Sequence, residues 1–174
     1  MAKHMPTGLK QTSSLVAIGA RVVETGANTY TQQQIDLNLS PLDREVFVVL
    51  AVNLDPQAPE NVAGTNTAVS ASVTSTSQTS VQGLDNANCI ANTRLDILQD
   101  AGSVTGVPFT RGAGESQASL LEYLGIIATN DFFIGIKGTG NTAAKFANAK
   151  VYGYRARASA DIYAALVQSE VLSA

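Results

Sequence analysis

His4 is the only histidine in the chain, so catalysis of the Ser-His-Asp or Cys-His kind would have to run through it. That chemistry needs an imidazole packed in place and oriented by a third group. A residue in a polar terminal stretch is badly placed to supply one. Gly114-Glu-Ser116-Gln-Ala118 has the outline of a nucleophile elbow. It follows no clear strand and has no base to serve it, so Ser116 reads as a loop serine. Gly138-Thr-Gly140-Asn-Thr-Ala143 fits the loose G-x-G-x-x-A pattern of dinucleotide-binding turns. Pyrophosphate recognition there requires a helix to start at the glycines. Only seven residues separate Ala143 from the next strand candidate at Val151, too few for a crossover helix. The segment reads as a glycine-rich connection between two strands, and no cofactor is implied.

Metal and carboxylate chemistry has weaker signals. Asp85, Asp96, Asp100 and Asp131 are scattered and do not follow the D-x-D-x-D-G spacing of a calcium loop. A loop calcium built from separated aspartates, or a carboxylate pair for glycoside hydrolysis, stays open on spacing alone. Against a carbohydrate enzyme or lectin, the chain has no tryptophan and only 6% aromatic residues with which to line a cleft. A lone Cys89 excludes an intrachain disulfide and a cysteine-based zinc cluster.

One basic stretch could touch nucleic acid: Lys137, Lys145, Lys150, Arg155 and Arg157 have no acid among them, and Tyr152 and Tyr154 interleave. On a strand, however, the two tyrosines face one way and the two arginines the other. Base stacking and phosphate neutralisation then fall on opposite surfaces. The net charge of −3 also has the wrong sign for a dedicated nucleic-acid binder. The tyrosines should pack inward, with the arginines meeting solvent or a neighbour's carboxylate.

The elements that would carry these groups have an unusual composition. Ser, Thr, Asn and Gln total 51 residues against 25 charged ones, and charge makes up 14% of the chain. Soluble domains usually carry about 25%. A surface poor in charge resists self-association weakly. With 174 residues and 45% hydrophobic content, the chain is long and apolar enough to fold as one domain. Its longest apolar run, Val46–Val52, is far too short for a membrane helix, and the start is not laid out as a cleaved signal peptide.

Residues 1–13 read as a mildly basic arm carrying Lys3, His4 and Lys10, without structure of its own. Period-two alternation then dominates residues 14–158. Ile35, Leu37 and Leu39 mark a strand with one wet face. In Leu42–Leu54, Val46, Val48, Leu50 and Val52 fill one face, and Phe47, Val49 and Ala51 fill the other. Such a strand lies centrally in a sandwich or at a subunit contact. Val69, Ala71 and Val73 alternate with Ser70, Ser72 and Thr74, and Phe132–Lys137 and Lys150–Arg157 are further strands. Gly112–Ser119 reads as loop. In residues 159–174 the period changes to a helix with Ser159 at its N-cap and Asp161 in its first turn. About eight strands with long connections predict an antiparallel, jelly-roll-like β-sandwich with a short C-terminal helix.

Four segments carry a family resemblance: Arg44-Glu-Val-Phe-Val-Val-Leu-Ala-Val-Asn53, the alternating Ala68–Ser77, Gly125–Gly138 and Tyr163-Ala-Ala-Leu-Val-Gln-Ser-Glu170. Through them the chain resembles single jelly-roll virion proteins across nearly its whole length. The resemblance implies a non-enzymatic capsid shell subunit, made in the host cytoplasm and resident in the virion. Its partners would be copies of itself in trimers, pentamers or an icosahedral shell, together with other virion proteins. The thin arm and acidic balance depart from coats that package RNA, so direct nucleic-acid contact is not expected. Lys3, His4, Lys10, Phe47, Val49, Arg155, Arg157 and the terminal helix are the expected subunit contacts. A capsid decoration protein, a sandwich module for carbohydrate binding or adhesion, and a histidine-free enzyme are the alternatives.

Overall fold

The computed structural model describes residues 6–99, 105–111, 115–117 and 121–173. The strands there are β1 (Leu9–Gln11), β2 (Val16–Val23), β3 (Thr31–Asp36), β4 (Glu45–Pro56), β5 (Thr67–Thr74), β6 (Cys89–Gln99), β7 (Gly106–Arg111), β8 (Glu115–Gln117), β9 (Gly125–Ile127), β10 (Asp131–Thr139) and β11 (Phe146–Ala158). The helix α1 (Ala160–Leu172) closes the chain. No described helix is long and apolar enough to cross a membrane.

All strand pairs are antiparallel, and they form two facing sheets. In the first, β11 lies between β4 and a broken strand made of β1 and β2, while β8 and β9 run end to end along the other side of β4. The second has the order β3-β10-β5-β6-β7. The connections β2–β3, β4–β5 and β10–β11 all pass from one sheet to the other. The ribbon β2–β3 therefore lies along β11–β10, with β4–β5 on the other side of the same pair. This is the jelly-roll winding. Counting each broken strand once leaves nine among the described residues, close to the eight or so expected, and Pro108 of β7 is tolerated at a sheet edge.

The core between the sheets draws Phe47, Val49, Val52 and Leu54 from β4, Val69, Ala71 and Val73 from β5, and Phe132, Ile134 and Ile136 from β10. A second apolar cluster lies on the opposite face of the first sheet. There Val46, Val48, Tyr154 and Ala156 pack under Ile162, Tyr163, Leu166 and Val167 of α1. β4 is thus apolar on both faces because its own chain covers both.

The expected division of β4 into odd and even faces holds only as far as Leu50. Val49 pairs with Gly153 and Ala51 with Tyr152, which leaves Leu50 as an extra residue. A one-residue bulge reverses which side chains face inward. Val52 therefore joins Phe47 and Val49 in the inter-sheet core, while Leu50 stays with Val46 and Val48 on the α1 side. Gly153 makes room for the kink. A Cβ there would lie 2.6 Å from Phe47 Cε1 and would collide with the Val48 carbonyl.

Other expectations shift in detail. β3 stops at Asp36, because Asn38 adopts φ +52°. Leu37 and Leu39 still point inward, their N–H groups donating to Asn130 O (2.7 Å) and Asn130 Oδ1 (2.6 Å). Glu115–Gln117, read as loop, pairs with Ala51–Asn53. The last residues of the arm form β1 rather than hanging free. Ser159 sits at the N-cap of α1, but its side chain makes no capping hydrogen bond.

Replacing Gly153 with Ala should lower unfolding free energy by roughly 1–3 kcal/mol, the usual cost of overpacking, measured by urea denaturation. The matching control is Gly19→Ala, where the nearest atom to a new Cβ is 4.0 Å away. That change should stay within about 0.5 kcal/mol.

Candidate functional site

The structure disperses the groups that could have done chemistry. Lys3, His4, Asp100 and Gly114 lie outside the described residues. Ser116 is inside a strand, opposite Val52, and not on a strand-to-helix turn. Residues 140–145 form a non-helical connection, with Gly140 at φ +68°, so no helix N-terminus awaits a pyrophosphate. Asp96 is tied to Arg94 (2.8 Å) and Arg111 (3.2 Å). Asp131 faces Asp36 across β3–β10, and the Gln34 amide donates to both. Burial and the Asp36 charge raise the Asp131 carboxyl above its usual range. No group of three or more His, Cys, Asp or Glu is placed to hold a metal among the described residues. Burial pushes the Cys89 thiol up to about 11, which keeps it protonated and unreactive.

The expected subunit contacts also resolve into other roles. Phe47 and Val49 are 1% and 0% exposed in the inter-sheet core, leaving nothing to offer a neighbour. Arg155 is engaged by its own chain: its guanidinium donates to the Leu37 and Asn38 carbonyls and to Glu45 Oε2 (3.2 Å). Arg157 pairs with Asp43 at 3.0 Å. Lys10 is exposed on β1, opposite Arg157. α1 lies on its own sheet, with Val171 and Leu172 left exposed near its end. The basic stretch is split as well. Lys137 is on the outer face of the second sheet and Lys145 is buried. Lys150 lies near the Tyr152 ring.

Lys145 belongs to a polar network that the sequence did not announce. It joins the β2–β3, β4–β5 and β10–β11 connections at one end of the sandwich. Glu24 is 4% exposed and accepts the N–H groups of Gly138 (2.6 Å) and Lys145 (2.8 Å). Glu60 accepts Lys145 Nζ (2.8 Å), the Thr142 hydroxyl, and the amides of Thr142 (2.8 Å) and Ala143 (3.2 Å). Those donors, Lys145 foremost and Thr142 next, hold the Glu60 carboxyl down to about 2. Asn141 takes the Glu60 amide and donates to Ala68 O (2.9 Å), and its backbone is bonded by Asn28. These groups satisfy one another and clamp three loops. The only sequence signal was the polar content of three separated connections.

At the other end, Glu170 of α1 accepts the Ala128 and Thr129 amides, both at 2.9 Å, and burial raises its carboxyl above the ordinary range. Two surfaces are left with features not used internally. One is β2, an edge strand of eight residues whose only charge is Arg21. Leu15, Val16 and Val23 along it are 61%, 37% and 52% exposed. The other is a polar cavity of about 370 Å³ on the outer face of the second sheet, lined by residues of β5, β6 and β10 and by residues 80–83.

Solved structures similar to this chain include two of plant viruses. One is of Desmodium yellow mottle tymovirus, with 12% identity over 91% of this chain and 95% of that one and a TM-score of 0.27. The other is of the empty head of turnip yellow mosaic virus, with 12% identity over 91% and 88% and a TM-score of 0.26. No protein-family model and no curated protein matches the chain. The fold assignment rests on the strand order of the chain itself.

The clamp makes a pH prediction. The folded Glu60 value, about 2, lies below its ordinary 4.5. Its stabilising contribution is therefore complete above pH 4.5 and is lost as pH falls toward 2. Carboxyl-detected NMR should show Glu60 titrating near 2, with Thr142 and Ala143 amides losing exchange protection over the same interval. Glu60→Gln should remove that acid response. A Glu60 midpoint near 4.5 would contradict the network.

Proposed function

We propose that this chain is a structural virion protein, a capsid shell subunit that assembles through repeated neutral and apolar contacts. The observation that carries the reading is the open β2 edge. Among the described residues β2 pairs only with β11. A nearly uncharged edge strand of this length is a template for another chain, and proteins that stay monomeric usually blunt such edges with Lys, Pro or a covering loop. Only Arg21 could play that part. Its guanidinium instead lies 4.3 Å from the Phe146 ring centroid and bonds Asn148, so it is turned back onto β11. Two β2 strands from neighbouring copies, run antiparallel about their centres, would place Val16 opposite Val23 with no like charges facing.

Further support comes from the jelly-roll winding and the low charge. Leu42 in the β3–β4 connection is 95% exposed, and Val107 and Phe109 on the edge strand β7 are 54% and 49% exposed. Apolar groups at several separate places suit a subunit that meets more than one neighbour, as closure of a shell demands. A standard contact of about 1,600 Å² would remove little charge from water.

Negative-stain microscopy and light scattering on the purified chain test the reading. Closed particles or discrete ring oligomers are the expected result. Changing both Val16 and Val23 to Lys should raise the concentration required for assembly at least about tenfold, or ~1.4 kcal/mol, while the circular dichroism spectrum and Tm of the protomer stay unchanged. A monodisperse monomer at high concentration would end the proposal.

A further inference from the structure

The polar cavity on the second sheet is not used by the fold or by the proposed assembly. Its floor is a row across three strands: Lys137 on β10 is opposite Ser70 on β5, and Ser70 is opposite Arg94 on β6. All three side chains point away from the inter-sheet core, because Ile136, Val69 and Leu95 are the alternating neighbours that turn the other way. Asn92 and Thr139 extend the lining along the sheet. One wall is chain from residues 80–83, and it is fastened down. Gln82 N–H donates to Ser72 Oγ (3.2 Å), Asn92 Nδ2 donates to Gln82 O (3.4 Å), and Asn86 Nδ2 donates to Gln82 Oε1 (3.0 Å). The cavity therefore has a fixed shape before any ligand arrives.

Its charge is one-sided. Two cations line it and no carboxylate does. Arg94 uses Nε on Asp96 and has its two terminal amino groups for other acceptors. Lys137 has no hydrogen-bond or ion-pair partner among the described residues, and it is exposed at the rim. About 370 Å³ is the lower end of the small-molecule range, room for a sugar residue rather than a bare ion. The remaining lining is hydroxyl and amide, which matches sugar hydroxyls. Val81 is the single bulky apolar group and no aromatic ring is present. A neutral sugar would lack a stacking surface, and a nucleotide base would have none either. Affinity must come from charge-assisted hydrogen bonds.

We propose that this cavity binds an acidic saccharide unit through Lys137 and Arg94, its anionic group being a sulfate ester or a carboxylate. The site is complete within one protomer and does not depend on the shell reading. It is tested on the full chain in whatever oligomeric form it takes, by NMR or calorimetric titration with a sulfated disaccharide, a uronate disaccharide and a neutral disaccharide. The expected result is saturable binding of at least one acidic sugar that perturbs Ser70 and Thr139, weakens with added salt, and is absent for the neutral one. Which acidic sugar binds tells sulfate from carboxylate recognition. Lys137→Gln should weaken binding at least about tenfold, with Tm unchanged because Lys137 has no hydrogen-bond or ion-pair partner among the described residues. The proposal is overturned if neither acidic sugar binds by about 10 mM, a level weaker than any useful site. It is equally overturned if the neutral sugar binds as well, or if Lys137→Gln binds like the parent. Particle images on the same sample report separately on assembly.

Discussion

The antiparallel pairing of β4 with β11 is the constraint from which the other elements take their places. Both strands are long, 12 and 13 residues, and they run side by side from Arg157–Glu45 to Ala147–Pro56. One face of the pair must meet the second sheet and the other must meet α1, so both need apolar side chains. The bulge at Leu50 is what reconciles these demands. It lets Phe47 and Val49 point inward on one side of the kink and Val52 and Leu54 point inward on the other. It also raises local twist, as bulges do. The two broken strands of the first sheet border this pair: β1 and β2 part around Ser13, and β8 and β9 part beyond Gly125. Ser13 fills the first gap by accepting Arg155 N–H on its hydroxyl (2.8 Å).

Several charged groups in this protein hold connections in place from buried or half-buried positions. Arg155 and Glu45 fasten the β3–β4 segment, with Glu45 also accepting the Ser40 amide (3.1 Å). Glu24, Glu60 and Lys145 fasten the opposite end, and Glu170 fastens α1. A carboxylate that accepts backbone N–H groups forms charge-assisted bonds, roughly twice as strong as neutral ones. The consequence is that a chain with few charges has still fewer facing solvent. Even so, most charged side chains outside these fastenings are exposed, among them Lys10, Arg21, Arg44 and Lys150.

Much of the architecture was legible because a sandwich writes itself as period-two alternation. Val69, Ala71 and Val73 gave β5 with the correct inward residues, and Phe132–Lys137 gave β10. The bulge was invisible for a physical reason. Both faces of β4 are apolar, so a shift of one residue changes no visible pattern. β1 and β8 were obscured because three residues hold too little alternation to register, whereas Gly125, Ile126 and Ile127 inclined Leu120–Ala128 to strand and form β9. The pairing of Arg155 and Arg157 with Glu45 and Asp43 of their own chain was not legible, because period-two geometry tells which face a side chain takes but not what covers it. The polar clamp could not be read at all. Glu24, Glu60 and Lys145 are far apart in sequence, and only the passage of three connections between the same two sheets brings them together.

The two sheets finish with different exteriors, and this follows from what the chain had left to cover them. α1 takes one outer face over β4 and β11, at the cost of leaving β2 as an open, almost uncharged border. The other outer face receives no helix; residues 76–84 fold across part of it instead, held by Ser72, Gln32 and Asn92. A covering of turns and neutral polar side chains is enough to bury Ser72 and Thr74 to 1% and 2% exposure, but it leaves a recess beside Lys137. The proposed association and ligand recognition would thereby be separated in space: backbone groups at the border of one sheet suit pairing with a like strand, and side-chain donors on the face of the other suit a small polar molecule. A single protomer can serve both without either surface constraining the residues of the other.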